Sequence, residues 1–133
     1  MGCRKFAVSG VSRNPEKYGY KVYHALKAAG FTVYAVNPNA DTIDGDTCYP
    51  SLYNLPEKID CLVTVTPPSV TEETIREAGH LRIPYLWMQP GSETVAAYNL
   101  AQAASMLIIA GGPCIMVAAV THHKAPETAA NGA

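Results

Sequence analysis

The sequence predicts an α/β protein: a doubly wound, mostly parallel sheet of about five strands flanked by helices. Short apolar, β-rich runs recur at residues 5–10, 31–36, 60–65, 84–88 and 106–109. The longer segments between most of these runs space their apolar residues at helical intervals. Each of the first four runs also ends in turn-forming or polar residues, as strands of an open sheet do where they reach a common rim.

The first strand covers residues 5–10 and runs into Gly10-Val11-Ser12-Arg13, with Asn14-Pro15-Glu16-Lys17 as a turn. From Tyr20 the pattern becomes helical through Val22, Tyr23, Leu26 and Ala29, and Gly30 stands at the left-handed C-cap position. Phe31-Thr32-Val33-Tyr34-Ala35-Val36 is the second strand, and a strand–helix–strand unit of this kind implies a right-handed parallel crossover. Asn37-Pro38-Asn39 stops it, because Pro38 has no N–H and holds Asn37 extended. The polar segment 40–56 contains an Asp44-Gly45 turn, a brief edge strand at Cys48-Tyr49 and one helical turn at Ser51-Leu52-Tyr53-Asn54.

Residues 60–65 form the third main strand, nearly all apolar as a central parallel strand should be. Thr66-Pro67-Pro68 ends it, and the spacing of Ser69 and Glu72 predicts a capping box opening a helix over 70–78. The fourth strand spans 84–88, followed by Gln89-Pro90-Gly91. Ser92 is the expected N-cap of a helix through Val95, Tyr98, Leu100 and Ala104. After the fifth strand, Gly111-Gly112-Pro113 turns the chain toward a short element at Cys114-Ile115-Met116-Val117. The reading is one domain over residues 1–120, with 121–133 an aperiodic tail expected to be disordered.

With 133 residues, 48% apolar content and a formal charge of −1, the chain has no basic excess that would suggest a nucleic-acid surface. Its apolar runs are far short of a membrane span, and Met1-Gly2-Cys3-Arg4-Lys5 is not followed by a signal-peptide core; a cytoplasmic location is expected. Phe6 stands where a myristoylation signal needs Ser or Thr. Cys3, Cys48, Cys61 and Cys114 form no CxxC pair, so reduced thiols are expected rather than disulfides. His24, His80, His122 and His123 lack the short regular spacings of a zinc site, and no metal is expected.

The loop after the first strand has the chemistry to hold anions. Gly10 allows close backbone approach, the helix start offers unpaired N–H groups, and Ser12, Arg13 and Lys21 add a hydroxyl and two charges. A nicotinamide site would instead show G-x-G-x-x-G and a carboxylate at the end of the second strand. Here the next glycine is Gly19 and the second strand ends in Asn37-Pro38, which weakens that reading.

Taken in order, Gly10-Val11-Ser12-Arg13, Gly19-Tyr20-Lys21, Val36-Asn37-Pro38-Asn39, Gly45, Tyr49-Pro50-Ser51-Leu52, Thr66-Pro67-Pro68 and Trp87-Met88-Gln89-Pro90-Gly91 resemble the coenzyme A-binding domain family. These are small proteins similar to the amino-terminal domain of the succinyl-coenzyme A synthetase alpha subunit, and the likeness runs over residues 5–116. The resemblance implies a Rossmann-like fold with coenzyme A, or an acyl-coenzyme A, as ligand. It places phosphates on Gly10, Val11, Ser12 and Arg13 with Lys21 nearby, and adenosine beside Val36, Asn37 and Pro38. Thr66, Pro67 and Pro68 would line the opposite wall, with Gln89 and Gly91 farther along the rim. Many relatives carry an acidic-arginine-cysteine run after the last strand; Gly112-Pro113-Cys114 matches only at the cysteine.

The family's synthetases use a second domain with a phosphate-carrying histidine, for which this sequence has no room. Neither His24 nor His80 shows an acid or nucleophile partner in sequence. The expected function is therefore a non-catalytic coenzyme A-binding module, in which an acyl-coenzyme A enzyme is a candidate partner. A small nicotinamide-dependent oxidoreductase, acyl transfer through Cys114, and an interaction subunit of an acyl-coenzyme A synthetase stand as alternatives.

Overall fold

The computed structural model describes residues 4–109. The element expected at Cys114-Val117, the tail from 121, and the thiols of Cys3 and Cys114 lie outside them. Seven strands form one sheet: β1 (Lys5–Ser9), β2 (Thr32–Val36), β3 (Thr42–Ile43), β4 (Asp46–Tyr49), β5 (Cys61–Thr64), β6 (Tyr85–Met88) and β7 (Leu107–Ile109). Their order is β3-β4-β2-β1-β5-β6-β7, and every pairing is parallel except β3 with β4. The five main strands are those read from the sequence. The other two come from the polar segment after β2: β4 contains the brief edge strand read at Cys48-Tyr49, β3 is additional, and Asp44 and Gly45, both at positive φ (50° and 86°), close a tight hairpin between them. One short turn, Leu52–Asn54, follows, with Ser51 accepting from the Tyr53 N–H.

Helix α1 (Tyr18–Ala28) crosses from β1 to β2, α2 (Pro68–His80) from β5 to β6, and α3 (Val95–Ala103) from β6 to β7. Side chains alternate across each strand, so the sheet separates two cores. Phe6, Val8, Cys61, Val63 and Trp87 face Val22, Tyr23 and Leu26 of α1. Ala7, Val36, Leu62, Leu86 and Met88 face Ile75 and Ala78 of α2 and Ala97 and Ala101 of α3. Helices thus cover both faces. Burying one side chain such as Leu26 or Ile75 stabilises the fold by about 1.5–3 kcal/mol. Cys48 and Cys61 are buried free thiols.

Helix ends show where local signals hold and where they yield. Gly30 (φ 95°) closes α1 in a full Schellman motif, with Gly30 N–H on the Lys27 carbonyl at 3.0 Å and Phe31 N–H on Leu26 at 3.2 Å. The capping box at Ser69 does not form. Helix α2 starts earlier, with Pro67 as N-cap and proline in its first turn, because proline suits the first helical position and lacks an N–H to satisfy. Ser92 does not cap α3; Thr94 does, accepting from Ala97 N–H at 2.9 Å. Two of the residues that mark α3 in the sequence face outward, Val95 at 78% and Tyr98 at 44% exposure, while Leu100 packs against the core beside the buried Ala97 and Ala101. Alanines face inward because α2 approaches closely; a side chain added at Gly79 would meet the Ala104 methyl at 3.2 Å.

Candidate functional site

Strand register builds the rim. Ser9 is paired with both Val36 and Thr64, and Thr64 with Met88, so β1, β2, β5 and β6 end in one row. The ladder carries one residue further: Gly10 N–H donates to Val36 O at 3.0 Å, Val65 N–H to Ser9 O at 2.9 Å, and Gln89 N–H to Thr64 O at 3.0 Å. From β1 the chain goes first to β2 on one side and later to β5 on the other. The crevice between the loops after β1 and β5 is therefore the topological switch point, where open α/β sheets bind ligands.

Gly10 sits in that crevice at φ 100°, and a Cβ there would come within 2.5 Å of the Val65 carbonyl oxygen. Gly19, in the first turn of α1, faces the Gly10 carbonyl so closely that any side chain would collide with it. The two glycines let strand end, loop and helix start converge. Helices α1 and α2 both begin beside the crevice without a side-chain cap and without an acidic residue in the first turn. Both helices therefore bring the positive end of their dipole to the crevice, α2 opening on Pro67 and Pro68, which have no N–H of their own.

The remaining candidate residues divide into exposed positions and positions built into the scaffold. Arg13 is exposed and donates through Nε to the Thr42 carbonyl at 3.2 Å. Lys21 is exposed on α1, and among the described residues neither it nor Arg13 enters an ion pair. Ser12 Oγ accepts from Asn14 N–H at 3.0 Å, tightening the loop. The Val11 and Val36 side chains are buried in the two cores, so each offers the crevice only its backbone. Pro38 and Pro67 are exposed, and Pro68 is the first residue of α2. Gly91 is exposed at φ 95°, its N–H on Glu93 Oε1 at 2.7 Å.

Asn37 joins two loops. Its Nδ2 donates to the Val11 carbonyl at 2.7 Å, its Oδ1 accepts from Asn39 N–H at 2.8 Å, and its own N–H continues the sheet to Tyr49 O at 2.9 Å. Gln89 does not lie on the surface of the rim. It is fully buried, and its Oε1 accepts from the Tyr18 hydroxyl at 3.3 Å, tying the end of β6 to the start of α1. Thr66 is buried, with its hydroxyl 2.6 Å from that of Thr71.

Sequence reasoning missed three supports of the crevice. Gly19 carried a visible signal as the glycine following Gly10, but its contact with Gly10 is tertiary. Thr71 bonds to Thr66 and to the Pro67 carbonyl at 3.2 Å. Ser92 is buried, 2.9 Å from both the Thr64 hydroxyl and the Gln89 carbonyl. The histidines also have partners from distant parts of the chain: His24 Nε2 lies 3.0 Å from Asp44 Oδ2, and His80 Nδ1 2.8 Å from the Tyr53 hydroxyl. Burial pushes the Cys48 thiol up, so it is not an activated nucleophile. No helix of the described residues is long and apolar enough to cross a membrane.

Fold and crevice together define an α/β domain of the Rossmann-like class. The family model described as CoA binding domain matches residues 4–119, and the chain belongs to that family. Over 76 residues (56% of this chain and 11% of the relative) it is 37% identical to acetate–CoA ligase [ADP-forming] II of Archaeoglobus fulgidus. It is 35% identical over 77 residues (57% and 17%) to the alpha subunit of acetate–CoA ligase [ADP-forming] II of Pyrococcus furiosus. The chain thus spans less than a fifth of these curated relatives. Among solved structures, a conserved hypothetical protein from Pyrococcus furiosus matches with TM-score 0.81 at 40% identity, over 86% of this chain and 98% of that one. The dinucleotide-forming acetyl-coenzyme A synthetase 1 of Ca. Korarchaeum cryptofilum matches with TM-score 0.70 at 25% identity, over 79% of this chain and 25% of that one.

Proposed function

We propose that this chain is a non-catalytic module that binds coenzyme A or an acyl-coenzyme A in the switch-point crevice. The observation that carries the reading is the convergence of Gly10, Gly19 and two uncapped helix starts beside Arg13 and Lys21, cations without ion-pair partners among the described residues. In the Gly10-Val11-Ser12-Arg13 loop, Gly10 admits the pyrophosphate, backbone N–H groups after it hold the phosphates, and Arg13 and Lys21 neutralise phosphate charge. Adenosine lies along Val36, Asn37 and Pro38, against the wall of Thr66, Pro67 and Pro68. Gln89 serves the site from below by fixing Tyr18, and Gly91 shapes the loop beyond it.

Calorimetric titration with coenzyme A, dephospho-coenzyme A and NADH tests this. Roughly micromolar coenzyme A binding, weaker without the 3′-phosphate and absent for NADH, is expected. Binding of NADH alone would replace the reading with the nicotinamide one.

A second reading concerns partners. The segment shared with acetate–CoA ligases supports an acyl-coenzyme A enzyme as the partner of this module. Affinity capture of such an enzyme, strengthened by added coenzyme A, is the expected result; capture indifferent to coenzyme A counts against it.

A further inference from the structure

The β3–β4 hairpin is held against α1 by two carboxylates. Asp44, at the tip, accepts from the Tyr20 hydroxyl at 2.5 Å and lies 3.0 Å from His24 Nε2. Asp46, two residues on, accepts from the Tyr23 hydroxyl at 2.9 Å and from Lys27 Nζ at 2.5 Å. Tyr20, Tyr23, His24 and Lys27 follow at three- and four-residue spacing, so they occupy one face of α1. The Tyr20 and His24 rings lie 4.3 Å apart, and Lys27 Nζ sits 5.4 Å from the centre of the Tyr23 ring. The Lys27 and Tyr23 bonds hold the Asp46 carboxyl below its usual range. Any one such surface pair contributes little. Three donors (Tyr20, Tyr23 and Lys27) and the close-lying His24 imidazole, all on one helix face, meet two carboxylates on one tight turn and form a clasp.

The clasp reaches the candidate ligand site through one further bond. Strand β3, the outer strand of the hairpin, presents the Thr42 carbonyl to Arg13 Nε at 3.2 Å. That bond uses the inner nitrogen of the guanidinium and leaves the two terminal nitrogens, the pair that meets a phosphate bidentately.

We propose that the β3–β4 hairpin is a positioning device: clasped to α1 through Asp44 and Asp46, it holds Arg13 in the orientation that receives a ligand phosphate. Arginine loses much rotamer freedom when it binds an anion, and a guanidinium already tethered by its Nε loses less. Arg13 contacts the phosphate; Asp44 and Asp46 act through it. The identity of the phosphate-bearing ligand rests on the coenzyme A reading above, whereas the coupling of hairpin to Arg13 does not.

The test uses the full chain as wild type, Arg13→Ala, the clasp variant Tyr20→Phe/His24→Ala, and clasp and Arg13 changes combined. The clasp variant removes the hydroxyl that donates to Asp44 and the imidazole beside it, and keeps the turn residues. Asp44→Asn is a second probe, since asparagine tolerates the positive φ of that position while losing the charge. Opening the clasp is expected to weaken coenzyme A binding about three- to tenfold, and to change nothing further once Arg13 is alanine. Undiminished binding, or the same loss with and without Arg13, would overturn the proposal. Amide hydrogen exchange on the ligand-free proteins separates the two readings. Faster exchange at residues 42–47 is expected to carry residues 11–16 with it; loosening confined to the hairpin refutes the coupling. If wild type binds no coenzyme A while exchange shows the coupling, the ligand assignment falls and the clasp stands.

Discussion

At the amino edge of the sheet, charged side chains pair with one another; at the carboxyl rim, polar side chains bond to the scaffold and the cations stay open. Asp60 caps the amino edge, accepting from the N–H groups of Arg4 and Lys5 at 3.0 Å each. Lys5 and Glu57 pair at 2.7 Å, and the Tyr34 hydroxyl also donates to Glu57. A cleft of about 300 Å³ opens at this edge, lined mainly by Leu52, Leu55, Ile59, Leu81 and Ile83. At the rim, Asn37, Gln89, Thr66 and Ser92 are bonded inward, while Arg13 and Lys21 are exposed and enter no ion pair among the described residues. An anion site is recognised by donors its own chain leaves unused on a rigid frame. By that measure the rim qualifies, and the apolar cleft does not.

Substitutions at the two edges should separate accordingly. The largest effect is expected from Gly10→Val, which forces a β-branched residue to φ 100° and its Cβ against the Val65 carbonyl. It should abolish coenzyme A binding and lower stability by about 3 kcal/mol, read by calorimetry and urea denaturation; retained binding would detach the ligand from this crevice. Lys21→Ala should weaken coenzyme A binding by about 1.5–3 kcal/mol with an unchanged denaturation midpoint, and an unchanged affinity would remove Lys21 from the site. Asn37→Ala should cost about 1–3 kcal/mol of stability, because it leaves the Val11 carbonyl without its amide donor.

The smallest effect belongs to the amino edge. Glu57→Gln should leave coenzyme A affinity untouched, and a measurable loss would blur the contrast between the edges. Its signature is in acid. The Lys5 amine, then the Tyr34 hydroxyl, holds the Glu57 carboxyl below its ordinary 4.5. A lowered carboxyl contributes stability above the unfolded value and loses it as pH falls through the folded one. Wild type should therefore lose stability below about pH 4.5 more steeply than Glu57→Gln. Asp46, lowered by Lys27 and Tyr23, keeps its share of that slope in both proteins. On the alkaline side, Tyr34, pushed up to about 12 chiefly by its bond to Glu57, stays protonated across the neutral range.

Much of the frame around the candidate site was legible because its key signals are local. Gly10 at a strand end, the Asn37-Pro38 stop and the Thr66-Pro67 stop each act over a few residues, and register then brought them into one row. Gln89 was read as a rim residue because nothing in Gln89-Pro90-Gly91 reveals that Tyr18, far earlier in the chain, reaches its side chain. Ser92 and Thr94 are both sound caps by composition. Thr94 caps because Ser92 is already engaged by Thr64 and Gln89. His24 looked partnerless because Asp44 arrives only when the hairpin folds back on α1.

What the amino-acid sequence determined by itself is the alternation of strands and helices, the glycines that turn the chain, and the apolar faces that make a two-cored sheet. Periodicity, caps and backbone restriction act between near neighbours and need no tertiary context. Only the tertiary structure decided which polar groups are spent on the scaffold and which remain for a ligand. That division depends on hydrogen bonds between residues far apart in sequence: Asn37 with Val11, Tyr18 with Gln89, Thr42 with Arg13. A side chain is available for binding only through the atoms that no distant part of the same chain has reached first, as with the terminal nitrogens of Arg13.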